Sequence, residues 1–196
     1  MTKKILFIGF SFAFFSIFGQ EYTLSEIELI NSGDIETALP IMQTTNAEQH
    51  KILLEKSADA NPTDPNTEIL INRMKLSLLS TDGGVGIAAP QVGINRNIIL
   101  VQRFDKPDEP VEYFINPVIL WHSEETNLGP EGDLSIPDFR GYFYRSKSIE
   151  LEYFDLAGEK HSETVEGFTA VIFQHETDHL FGILISDKER LYEKVN

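Results

Sequence analysis

Cysteine is absent from the 196 residues. That excludes disulfides, zinc ribbons, thiol nucleophiles and cysteine-held iron–sulfur clusters, so any metal must rest on His, Asp or Glu. Basic charge is scarce as well. Sixteen Lys and Arg stand against 31 Asp and Glu, a formal net charge of −15. A chain this acidic repels phosphate backbones, which argues against nucleic acid as a partner. No internal repeat is visible, and long apolar runs are missing beyond the first twenty residues.

What is present fits one globular domain with extra material at an end. Hydrophobic residues make up 41% and charged residues 24%, a composition that builds a core and does not read as disorder. The start, "MTKKILFIGFSFAFFSIFGQ", has Lys3 and Lys4, an uncharged run from Ile5 to Phe18, and the small residue Gly19 before Gln20. Basic start, short apolar run and small residue are the three parts of a secretory signal peptide. The run is shorter than the ~20 residues of a membrane span. The expected division is therefore a signal peptide over 1–19 and a catalytic domain over 20–196. Export to the periplasm or cell envelope follows, with a cytoplasmic location only if the N-terminus is no signal. A membrane would be touched only through an uncleaved leader.

Glu21 to Glu55 is polar and shows no clear period. "ADANPTDPN" (58–66) reads as a loop. Asp64 before Pro65 resembles an N-cap followed by Pro at the first helical position. The helix it opens carries Leu70, Ile71, Met74 and Leu78 at the spacing of a buried stripe and stops near Gly83 and Gly84. Strand-like segments follow at 97–102, 111–120, 142–146 and 148–154, the last alternating Ile149, Leu151 and Tyr153 with Glu150 and Glu152. "AGEKHSE" (157–163) reads as a turn. "FTAVIFQHETDHLFG" (168–182) reads as a helix ended by Gly182. The charged tail reads as a fraying end or a short surface helix. Helix, several strands, helix is an α+β order.

The chemistry concentrates in that last helix. His175 and His179 stand four residues apart, so both rings share one face and can meet one ion. Glu176 follows His175 and can take a proton from water beside that ion. Asp178 falls on the flank of the histidine face, placed to hold an imidazole or an arginine. His50, His122 and His161 lie in polar or loop-like surroundings and read as surface residues.

Three segments, "GVGIAAPQ" (84–91), "EGDLS" (131–135) and "QHETDHLFG" (174–182), resemble the three motifs of the peptide deformylase family in order and spacing. The resemblance spans roughly Leu54 to Lys188. It implies an α+β fold in which antiparallel strands surround a central metal-binding helix. It implies a metal-dependent hydrolase that removes the N-formyl group from N-formylmethionyl peptides, with one divalent ion, Fe2+ or Zn2+. His175 and His179 match the histidine ligands and Glu176 the general base and acid. Gln91 and the backbone N–H of Leu134 match the donors to the oxyanion, and Val85, Gly86 and Gly132 fall at the substrate-binding edge.

One position departs. Where the family's pattern has cysteine, this chain has Asp133. Two histidines and one carboxylate form a working catalytic zinc set and also suit ferrous iron, so Asp133 is read as the third ligand. Export and an oxidation-proof ligand fit together, because aspartate cannot climb the thiol oxidation ladder. A formylated peptide or a small acylated compound is the expected partner of a monomer. Two alternatives stay open: an exported metallo-amidase or peptidase on another small acylated substrate, and a non-catalytic peptide-binding relative.

Overall fold

The structure, a computed structural model, describes residues 19–187. The expected leader, apart from Gly19, and the end of the charged tail lie outside them. Among the described residues no helix is long and apolar enough to cross a membrane. The fold is α+β.

A five-stranded sheet, entirely antiparallel, is the centre of the molecule. Its order is β1 (Gly86–Ala88), β2 (Ile98–Gln102), β3 (Val111–His122), β6 (Ser148–Phe154), β7 (Lys160–Glu166). Two further strands, β4 (Thr126–Gly132) and β5 (Arg140–Ser146), pair with each other as a separate ribbon. Strand β2 explains why the sheet is buried on both sides. Successive side chains point to opposite faces. Ile98 and Leu100 join one apolar cluster with Leu70, Ile71, Met74 and Leu78 of α3 (Pro65–Leu79). Ile99 and Val101 join the other, with Ala170, Ile172 and Phe173 of α4 (Gly167–Leu180).

Helix α3 starts where the sequence places it. The Asp64 carboxylate accepts from the Asn66 N–H, and Pro65 takes the first turn, where its missing N–H leaves nothing unbonded. Helix α4 ends as expected. Gly182 has φ +69°, and a Cβ there would lie 2.2 Å from the Leu54 carbonyl oxygen, so glycine is required for conformation and for space.

Other readings are corrected. The segment 157–163 is not all turn. The turn closes over Asp155–Glu159, and β7 begins at Lys160. Strand β4 lay unread in "TNLGPEG". The unassigned 21–55 region holds two helices, α1 (Leu24–Ile30) and α2 (Ala47–Leu53), each one buried residue deep. The first has a capping box in which Thr23 and Glu26 each bond the other's backbone N–H. Two buried arginines fasten this N-terminal arm to the sheet and α3. Arg96 pairs with Glu26 at 2.7 Å and donates to the carbonyls of Gln20 and Glu21. Arg73 donates to those of Ile30, Ser32 and Thr37.

Candidate active site

Helix α4 runs under the sheet with its polar end facing the β4–β5 ribbon. His175 and His179 sit one turn apart, ring centroids 5.1 Å from each other. Asp133, in the loop that leaves β4, meets them. One ligating atom from each of Asp133, His175 and His179 falls within a 4.8 Å group. The sequence places these three on two elements 42 residues apart, and the fold closes them into one site.

Hydrogen bonds fix each group. Asp133 Oδ1 accepts from the Ser135 N–H at 2.8 Å and from Gln91 Nε2 at 3.2 Å. Gln91 is held the right way round because its Oε1 accepts from the Ala88 N–H at 2.9 Å. Its NH2 therefore faces the site. His175 Nδ1 bonds Glu131 Oε2 at 2.9 Å, which turns Nε2 toward Asp133 and His179. Glu131 in turn takes both arms of Arg145, at 2.7 and 2.8 Å, and Arg145 also donates to Asp178 at 2.6 Å. An arginine is what Asp178 holds.

The electrostatics follow from burial and these partners. Burial alone would raise the Glu131 carboxyl, but hydrogen bonds from Arg145 and His175 hold it down at about 2. Burial pushes His179 down to about 4, against the pull of Asp133, so it is neutral at pH 7. That is the form in which imidazole binds a metal. Burial opposes the His175 imidazolium, yet the Glu131 bond and the neighbouring carboxylates raise its pKa overall. Burial pushes Glu176 up to about 8, with His175 opposing and Asp133 and Glu131 adding to the rise.

Four atoms at this centre are buried without a hydrogen-bond partner: Asp133 Oδ2, His179 Nδ1, His179 Nε2 and Glu176 Oε2. Asp133 Oδ2 and His179 Nε2 lie 3.4 Å apart, but without the geometry of a hydrogen bond. Leaving such groups unpaired is costly. A cation between Asp133, His175 and His179 satisfies the carboxylate and the imidazoles together, and the donor set of two nitrogens and one oxygen fits a divalent metal with an open position.

A cavity of about 760 Å³ opens onto this centre. Val85, Gly86, Gln91, Gly132, Asp133, Leu134, His175 and Glu176 all line it, and His179 stands behind, 1% exposed. Gly86 has a reason beyond its place at the edge. A Cβ there would lie 2.4 Å from Glu176 Oε1 and 2.8 Å from Ile172 Cγ2. The carboxylate packs on the bare backbone.

The model of the polypeptide deformylase family matches residues 41–194. The chain belongs to that family. The peptide deformylase of Thermotoga petrophila is 40% identical over 137 residues, 70% of this chain and 80% of its own length. Among solved structures, a class I type b peptide deformylase from Acinetobacter baumannii superposes with a TM-score of 0.70 at 36% identity, covering 76% of this chain and 97% of that one. The same enzyme bound to Met-Ala-Ser gives a TM-score of 0.68 at 35% identity, with 76% and 98% covered. The deformylase match begins at residue 41, so the arm that carries α1 precedes it.

Two residues of the site cluster, Glu131 and Arg145, carry no expectation from the sequence. The signal for Arg145 was there. In "RGYFYRS" it falls in phase with Gly141 and Phe143, the inward positions of β5. A charge on the buried phase of a strand calls for a buried partner of opposite sign.

Proposed function

We propose that this member of the family hydrolyses N-formyl peptides with Asp133, His175 and His179 holding one divalent ion, and that it does so outside the cytoplasm. The chain is a hydrolase of formylated peptides, as family membership establishes; the ligand set, the ion and the location are our reading. The observation that carries the ligand set is the unpartnered Asp133 Oδ2 facing unpartnered His179 Nε2 in a buried site; the location rests on the signal-like start of the sequence.

When bound, the ion supplies Lewis acidity and makes water nucleophilic at neutral pH. The protein's own groups do the rest. Glu176, whose rise on burial is opposed by the charge of a bound cation, is kept a carboxylate; it accepts the proton of the attacking water and passes it to the amide nitrogen as the C–N bond breaks. The products are formate and a peptide with a free amino terminus. Gln91 Nε2 and the Leu134 N–H are the donors for the carbonyl oxygen as it becomes charged, and one such donor is typically worth about 3–4 kcal/mol. Arg145 and Glu131 keep His175 in one tautomer and orientation. Val85, Leu134, Phe168, Val171 and Ile172 give the cavity an apolar wall suited to a methionine side chain. That the relative from Acinetobacter baumannii binds Met-Ala-Ser supports a peptide here.

A carboxylate is harder than a thiolate and shifts preference away from soft metals. It also leaves nothing to oxidise at the ligand, which suits an exported enzyme. The test is metal content and turnover of formyl-Met-Ala-Ser. Asp133→Ala loses metal and activity together. Glu176→Gln keeps the metal and loses roughly 10²–10⁴ in rate. Asp133→Cys binds soft metals better and becomes peroxide-sensitive. Metal held by Asp133→Ala as tightly as by the parent rejects the ligand assignment.

A further inference from the structure

The outer face of the β4–β5 ribbon carries exposed apolar side chains. Side chains alternate along a strand. Leu128 and Pro130 therefore share one face of β4, with Tyr144 and Tyr142 directly opposite on β5. The other face turns inward, with Glu131, Phe143 and Arg145 buried. On the outer face Leu128 is 52%, Tyr142 69% and Tyr144 53% exposed. Cross-strand packing of Leu128 with Tyr144 stabilises the ribbon, but the wet face of an antiparallel pair is ordinarily polar. Contiguous exposed apolar patches commonly mark a binding surface.

This face continues the wall of the catalytic cavity. Pro130, Gly132 and Arg140 line the cavity, and Tyr142 pairs with Pro130. From Gly132 out to Leu128 the strand advances about 14 Å at ~3.4 Å per residue, the length of about four extended residues. We propose that Leu128, Pro130 and Tyr142 form a docking track for the downstream residues of the polypeptide whose formylated end occupies the cavity, and that the track selects apolar and aromatic side chains there. It rests on the deformylase reading of the site and narrows the substrate class from small acylated compounds to peptides of roughly seven residues or more.

The test compares formyl-Met-Ala-Ser with the same peptide extended by Leu-Phe-Leu-Tyr or by Gly-Ser-Gly-Ser, on the metal-loaded full chain and its Leu128→Ser/Tyr142→Ser variant. Both substituted side chains are exposed and outside the cavity lining, and thermal melting checks that the variant folds as the parent does. The expected result is a kcat/KM about tenfold higher for the apolar extension, since burying even one apolar side chain is worth that much. The variant should lose this gain and keep the tripeptide rate. No gain in the parent, or a gain that survives in the variant, overturns the proposal. So does sedimentation showing that the variant converts a dimer to a monomer while the gain persists, which would make the face a contact between copies. Absence of turnover on every formyl peptide rejects the deformylase reading itself, whereas normal tripeptide turnover without an extension effect rejects only the track.

Discussion

Glu176 Oε1 sits where a methyl group on residue 86 would be. The motif resemblance implies a substrate edge for Gly86; the packing adds that it makes room for Glu176. Gly86→Ala should displace the carboxylate and cut turnover by about 10²-fold or more, the cost of misplacing a catalytic group by an ångström. Metal content should stay at the parent's level, because none of the ligands is touched. A variant with parental turnover would show that Glu176 tolerates the shift. Residues of this kind are half legible. The pairing of His175 with His179 is readable because residues four apart share a helix face, and Asp133 is read from its place in the family's second motif. The Glu131–Arg145–Asp178 chain was not assembled, because its members sit on three elements that only the fold brings together.

The sheet is closed at one end by Arg103, 1% exposed, just past β2. It bonds Asp105 and Glu163 of β7 through paired contacts of 2.7–2.9 Å and reaches Glu112 of β3 at 3.1 Å. The hydrogen bond from Arg103 outweighs burial and holds the Asp105 carboxyl at about 2, below its ordinary 3.8. A depressed carboxylate contributes stability above its unfolded pKa, and that contribution disappears as pH falls through the folded value. Stability from this pair should therefore be level from pH 7 down to about 5 and drop between roughly pH 4 and 2. Arg103→Met should lower stability at pH 7 by about 1–3 kcal/mol, since it removes charged hydrogen bonds from carboxylates that water still reaches, and should flatten the acid limb. Urea melts at a series of pH values read both effects; an unchanged acid limb would remove the pair from the account. The elements themselves explain which were readable. Helix α3 buries residues in register with its period, while β2 and the first half of α4 read as continuous apolar runs. Strand β7, "KHSETVE", buries only Val165, and β4 contains Gly129 and Pro130, so neither carries a strand pattern. Helices α1 and α2 are seven residues each with one buried side chain, too short for a period, and only their caps, Thr23 and Asn46, announce them.

At the scale of the whole molecule, the arm before residue 41 is built into the domain. Tyr22, 6% exposed, bonds Thr67 at 2.9 Å and lies 4.8 Å under the Arg96 guanidinium; Ile30 and Leu39 join the cluster around α3. Arg96→Ala removes the partner of Glu26 and of three backbone carbonyls, those of Gln20, Glu21 and Asp59. It should cost about 3 kcal/mol and raise amide exchange across residues 20–30 first, while the active-site rate changes little; uniform exchange across the chain would mean the arm does not open separately. Gln20 donates its N–H to the Asp59 carbonyl at 3.1 Å, and a Cβ on Gly19 would lie 2.4 Å from the Ala60 oxygen. The consequence is one of timing. For the leader proposed over 1–19, a peptidase that needs an extended strand across the Gly19–Gln20 bond would find it only before the domain closes, so cleavage there would have to come first and folding second.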